Sequence, residues 1–153
     1  MAQGEMFKTT FYWNISKDVG RGKPNLIDDV ELVRYGYHCM RQDHVYMQRF
    51  GSEFRTAVMA MDSRGPYGAD LQNVIDAHQR HRGGTQDGCV SVMKINTLQT
   101  VKYDGQHSWI LWSLHLSMVV ALRNLYPRID LDSFSGPDIS RTVRNCFLID
   151  SAG

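Results

Sequence analysis

The sequence predicts a mostly α protein, a small helical bundle with a short N-terminal strand and a C-terminal helical extension. Three observations carry this. Apolar residues recur every three or four positions in four segments, and a fifth segment is apolar nearly all round. Clusters of Gly, Pro and Asp separate these segments. Only residues 7–15 alternate with the period of a strand.

Composition narrows the class. The chain has 153 residues, 42% hydrophobic and 22% charged, which fits one globular domain over 1–153 and excludes wholesale disorder. Seventeen Lys and Arg face sixteen Asp and Glu, a net charge of +1. A strong nonspecific binder of nucleic acid or anionic membrane carries a larger basic excess. Three cysteines, an odd number, argue against a disulfide framework, so Cys39, Cys89 and Cys146 read as free thiols. The opening MAQGEMFKTTFYWNIS has no basic segment followed by a continuous apolar run, hence no secretory signal is expected, and the expected site of synthesis is the cytoplasm. The most apolar stretch, Trp109 to Leu125, is interrupted by Ser113, His115, Ser117, Arg123 and Asn124 and falls short of a membrane span.

The elements follow in order. Phe7, Thr9, Phe11, Trp13 and Ile15 share one parity and predict a strand over 7–15. Residues 18–25 form a turn-rich loop. Asp28 then reads as an N-cap with Glu31 completing a capping box, and Val30, Val33, Tyr37 and Met40 predict a helix over 29–42. Gly36 inside it costs about 1 kcal/mol relative to Ala, so another element is expected to approach there. Phe50, Phe54, Val58 and Met61 predict a second helix, 51–61. Asp62–Gly68 is a tight loop. Asp70 starts a third helix, with Leu71, Val74, Ile75 and His78 on one stripe and Gly83-Gly84 as its stop. Residues 85–106 read as either a short hairpin or a short helix. The 107–126 segment predicts a core helix stopped by Pro127, with Trp109 and Trp112 in the core, and Asp138, Ile139, Val143 and Phe147 predict a last helix. Met40, Met47, Met59, Met61 and Met93 read as core fillers, and Cys39 and Cys146 as small buried hydrophobes.

The chain resembles the peptidoglycan-binding-like domains of phage lysins and cell-wall hydrolases in three phrases. Ile15-Ser-Lys-Asp-Val-Gly-Arg-Gly-Lys-Pro-Asn-Leu-Ile-Asp-Asp-Val-Glu-Leu-Val33 is similar to the family's entry into its first helix. Asp62-Ser-Arg-Gly-Pro-Tyr-Gly through Ala77-His-Gln79 is similar to its second glycine turn and helix, and Thr85-Gln-Asp-Gly-Cys-Val90 to its closing turn. The departures are Val33-Arg34 for Val-Gln, Asp62-Ser63 for Asp-Gly and His78-Gln79 for Phe-Gln. The resemblance covers roughly 13–100, leaves 101–153 as an extension, and implies a helical bundle with a shallow groove for peptidoglycan glycan or stem peptide. It also implies a phage-like or type VI secretion setting, with delivery to the periplasm or envelope by a route other than general secretion.

Within that resemblance the candidate ligand contacts are Asp62, Arg64, Tyr67, Gln79 and His81, with Tyr12 and Trp13 as a second platform. An aromatic face suits a sugar's C–H surface, and polar side chains suit its hydroxyl and acetamide groups. Catalytic constellations are weaker. His78 and His81 lie three apart, but no acid or thiol completes a metal ligand set, and no metal or cofactor is expected. Cys89 with His107, oriented by Asp104 or Asn96, is the sharpest nucleophile–base pair. Asp28/Asp29, Asp130/Asp132 and Asp138 are paired or neighbouring carboxylates that more simply cap helices. The leading expectation is a non-catalytic wall-binding module. The alternatives are a cytoplasmic adaptor, chaperone or immunity-type protein for a co-encoded wall-targeting effector, and a small Cys-dependent wall amidase.

Overall fold

Helix α1 (Ile27–Gln42) packs against most of the other described helices. In the computed structural model, which describes residues 2–7, 10–93, 110–132 and 134–151, α1 is buried continuously from Asp28 to Met40. It contacts α3 (Ser52–Ala60), the short α2 (His44–Met47), α5 (Ile110–Leu122) and α6 (Pro137–Ser151). Helix α4 (Ala69–Arg82) packs on α3. Among the described residues the chain is therefore mostly helical, with two short antiparallel sheets: β1 (Gln3–Phe7) with β2 (Thr10–Asn14), and β3 (Val19–Gly20) with β4 (Cys89–Val90).

A helix buried on every side should carry few polar groups, yet α1 buries Asp28, Asp29, Glu31, Arg34 and His38. Each is tolerated because each has a partner. Asp28 accepts from the Ala2 backbone N–H at 2.7 Å. Asp29 accepts from the Ser16 N–H and hydroxyl and from the Lys17 N–H, at 3.0–3.1 Å. Glu31 accepts from the Ile139 N–H at 2.8 Å and so caps the start of α6 from 108 residues away. Burial raises the carboxyls of both Asp29 and Glu31 above their ordinary values. The expected capping box is thus absent. The residue before the helix is Leu26, with no side-chain cap bond, and Asp28 and Glu31 serve distant segments instead. Sequence spacing identified the helix start but could not show that the acids had longer-range donors.

Glycines mark the close approaches. A Cβ at Gly36 would stand 2.7 Å from the Leu114 Cβ, so α1 and α5 meet backbone to side chain, as the mid-helix glycine predicts. Gly20 sits at φ +144°, and a Cβ there would lie 2.3 Å from the Gly88 carbonyl oxygen, which explains why the two glycine turns can pair as β3 and β4. At Gly136 a Cβ would overlap the Glu31 carboxylate.

Other expectations need correction. The single strand over 7–15 is a hairpin, with Gln3 opposite Asn14 and Phe7 opposite Thr10. Its alternation does not separate a wet face from a dry one, because Tyr12, Trp13, Asn14 and Ile15 are all buried. Trp13 donates its indole N–H to the Pro127 carbonyl at 2.8 Å, which ties the hairpin to the C-terminal region. Helix α5 is not enclosed on every side: Leu111, Leu114 and Met118 are buried, while Leu116, Val119 and Val120 are exposed. It gives way at Leu122 to a 3₁₀ turn, Arg123–Leu125, before Pro127. Cys146 and Met59 are exposed rather than buried, whereas Cys39, Met40, Met47, Met61 and Met93 are core. Asp138 lies inside the first turn of α6, paired with Arg141. Trp109 and most of the 85–106 segment lie outside the described residues, as do the surroundings of the Trp112 side chain. No described helix is long and apolar enough to cross a membrane.

Candidate functional site

Three α1 side chains, Arg34, His38 and Arg41, lie three or four residues apart and hold the 58–70 segment from beneath. Arg34 has a side chain only 3% exposed. It donates to the Asp62 carbonyl at 3.0 Å, to the Pro66 carbonyl, and to both Asp70 carboxylate oxygens at 2.9 and 3.0 Å. That fork-to-fork pairing holds the Asp70 carboxyl down at about 2. Arg41 donates to the Val58 and Met61 carbonyls at 3.0 and 2.6 Å and to the Ser63 hydroxyl at 2.6 Å. The 62–68 loop is thereby fixed from its buried side, while Asp62 and Arg64 remain exposed.

The Ser63 hydroxyl also lies 2.9 Å from Nδ1 of His38. A hydroxyl on an imidazole is the first requirement of an activated nucleophile. Here, however, Arg41 also donates to the same Nδ1, at 3.3 Å, and burial together with that guanidinium depresses the imidazole's basicity. An imidazolium formed at this position would face a cation at hydrogen-bond distance. The cluster fixes a loop better than it removes a proton.

The five residues predicted from the sequence have separate environments. Asp62 is exposed, and its N–H donates to Asp70 at 3.1 Å. Arg64 turns toward the Phe134 carbonyl, 3.4 Å away. Tyr67 donates its hydroxyl to Gln72 and is half-buried. Gln79 is buried and clamps the 87–89 turn: its amide donates to Asp87 and to the Cys89 carbonyl, and its carbonyl accepts from Gly88 N–H at 2.8 Å. His81 is exposed with its ring 4.7 Å from that of Phe50. Asp62, Arg64 and Tyr67 share the loop, while Gln79 and His81 occupy other parts of α4. Tyr12 and Trp13, the second platform, are in the core.

The nucleophile and metal alternatives fare as follows. Burial and the neighbouring Asp87 push the Cys89 thiol up, the opposite of what a thiolate nucleophile requires. His107, Asp104 and Asn96 lie outside the described residues. His78 is buried with the stripe of Leu71, Val74 and Ile75. It is 1% exposed, hydrogen-bonded through Nδ1 to the Tyr37 hydroxyl at 2.8 Å, and set against Phe54. Among the described residues no cluster of His, Cys, Asp or Glu could hold a metal.

Burial, with Arg82 and His81 nearby, drives the His78 imidazole down to about 3. The unfolded chain protonates this group near its ordinary value of about 6.5, so the stability it contributes is complete above that pH and falls as pH drops toward 3. At pH 5 the loss from His78 is about 2 kcal/mol. His115, lowered to about 4 by burial, adds in the same sense. The raised carboxyls of Asp29 and Glu31 act in the opposite sense near the carboxylate range. Urea midpoints at pH 7 and pH 5 are expected to differ more for the parent chain than for His78→Gln, whose amide does not titrate. Equal differences would show that His78 is not held neutral.

Beside the loop, the antiparallel helices α3 and α4 enclose a shallow groove of about 570 Å³. Ser52, Glu53 and Thr56 line one wall, Asp70, Asn73 and Arg80 the other, and Ala57, Ala60 and Ala77 complete it. The Glu53–Arg80 ion pair closes one end, and Asp70, under the Asp62 N–H, marks the other. Sequence reasoning missed this groove. Its trace in the sequence is a second stripe on α4, residues 70, 73, 77 and 80, alongside the apolar one. It also missed Phe134, which is half exposed and stacked on His38 at 4.3 Å, because no periodicity singles out an aromatic ring in a loop. The chain matches no protein-family model and no curated protein, and its fold matches no solved structure.

Proposed function

We propose that this chain is a non-catalytic module that binds peptidoglycan or a wall-derived fragment, on a peptidoglycan-binding-like scaffold spanning roughly 13–100, in a phage-like or secretion-system setting. The observation that carries the reading is the shallow α3–α4 groove, with a rim loop anchored by Arg34 and Arg41. A rim fixed in advance loses little entropy when a ligand docks, and a shallow groove suits weak binding made effective by a repetitive polymer. The pairing of the two glycine turns as β3 and β4 supports the same scaffold, since it joins the first and third of the phrases that resemble the family.

The test is co-sedimentation with purified sacculi. The protein is expected in the pellet, and the exposed-loop variant Asp62→Ala/Arg64→Ala is expected to be retained several-fold less. A protein that stays wholly in the supernatant overturns the reading. One observation favours a second reading, an adaptor for a co-encoded wall-targeting effector: α5 and the turn after it expose Leu116, Val119, Val120 and Leu125 in succession. A stoichiometric complex with such a partner, lost on Val120→Asp, would replace the first reading.

A further inference from the structure

We propose that Phe134, carried by the C-terminal extension, is an autoinhibitory contact: it holds Arg64 of the rim loop turned toward the extension, and docking of a ligand at that loop requires its release. This rests on the wall-binding reading above and concerns the regulation of that site, whatever part of the wall is recognised.

The extension is anchored to α1 on both sides of Phe134. On one side the Tyr35 hydroxyl donates to the Asp132 carboxylate at 2.8 Å. The same carboxylate accepts from the Phe134 N–H at 3.1 Å, so one acid ties the Phe134 backbone to α1. On the other side Gly136 lies against the Glu31 carboxylate, which also accepts from the Ile139 N–H. Between these anchors Phe134 reaches both His38 and Arg64. Its ring stacks on His38, and His38 stacks on Tyr35, so three rings run from the core to the surface, with centroids 4.3 and 6.2 Å apart. Its carbonyl accepts from Nε of Arg64 at 3.4 Å.

The contact is weak enough to be released. Phe134 remains 49% exposed, and 3.4 Å is long for an N–H···O bond. Lifting the ring therefore loses little burial and one poor hydrogen bond. The rim loop does not depend on it. Arg34 and Arg41 hold the loop from beneath through the Asp62 and Pro66 carbonyls and the Ser63 hydroxyl. Release of Phe134 thus frees the Arg64 side chain and leaves the loop backbone fixed. Arg64 is also misdirected while the contact stands. It is not among the described residues lining the α3–α4 groove, and its Nε faces the extension. A guanidinium is a rigid planar fork, so committing Nε sets the direction of the whole group. A ligand that draws Arg64 to itself must break the Phe134 contact, and by reciprocity the loss of that contact raises affinity. The apparent Kd is the intrinsic value divided by the released fraction.

The test is the concentration of full chain that half-saturates purified sacculi, for the parent and four variants. Phe134→Ala is expected to lower it about threefold to tenfold. Phe134→Tyr, which keeps the ring stack, is expected to match the parent, and Phe134→Ala/Arg64→Ala to lose the gain. The sign is diagnostic, because removing a ring that only stabilised the loop would weaken binding. Phe134→Leu keeps apolar bulk without the stack and gives the same reading should alanine lower the melting temperature. Binding by Phe134→Ala and Phe134→Leu no tighter than the parent's overturns the autoinhibitory contact and leaves wall binding standing. A gain that persists without Arg64 overturns it as well. Parent and variants alike remaining in the supernatant overturns both readings.

Discussion

Arg34→Met is expected to destabilise the fold by about 3–5 kcal/mol, the largest effect of any single change near the groove. Methionine fills much of the same volume, so the loss is one of hydrogen bonds. Arg34 satisfies the carbonyls of Asp62 and Pro66 and both oxygens of Asp70 from a position almost closed to solvent. Removing it strands a carboxylate beside two carbonyls, and a stranded partner costs more than an intact pair contributes. Arg34→Lys supplies a charge but not the fork, and should fall between the two. The pair can be isolated with Asp70→Asn, because the double variant Arg34→Met/Asp70→Asn should lose less than the sum of the single losses. Urea denaturation gives the free energies, and limited proteolysis should show new cleavage within 62–68 in the methionine variant. A loss below about 1 kcal/mol would mean that the loop is held by something other than this arginine.

The second large effect is expected at Gly36. A methyl group there gains about 1 kcal/mol of helix propensity but must occupy space 2.7 Å from the Leu114 Cβ. Overpacking of this kind costs about 1–3 kcal/mol, so Gly36→Ala should be mildly destabilising. Gly36→Val adds further bulk with a smaller propensity gain and should lose about 3 kcal/mol or more. Because α1 and α5 are the most extensively packed pair of helices among the described residues, the damage should be concentrated in the C-terminal extension, with hydrogen exchange rising in 110–122 before it rises in α4. Leu114→Ala should cost less in the Gly36→Val background than in the parent. Strict additivity would indicate that the two helices do not meet at this point.

Both predictions concern residues that the sequence pattern only half explains. Gly36 was legible as a close approach because a glycine in an otherwise regular helix needs a reason, but its neighbour Leu114 lies 78 residues away and has no marker in sequence. Arg34 occupies the place of a glutamine in the family phrase that the segment resembles, and nothing in its spacing shows a buried side chain serving a loop some thirty residues on. The acids of α1 show the same division. Asp28 and Glu31 have the spacing of a capping box, a local arrangement, yet their donors are Ala2 and Ile139. Gln79 stands where the family phrase has its Gln, and its role is structural support for the 87–89 turn.

What the sequence determined by itself is therefore the class of the fold and the presence of its five longer helices, but not the short α2. Helical periodicity and glycine punctuation are local properties, set by the 3.6-residue turn and by backbone sterics, and they survive without knowledge of neighbours. The mostly helical architecture, the glycine stop of α4 and the close approach at Gly36 all follow from them. The tertiary structure alone decided which face of α5 is left open, which carboxylates are buried, and that a groove lies between α3 and α4. Those depend on which distant surfaces meet, and buried polar groups choose partners by distance in space, where sequence separation carries no information.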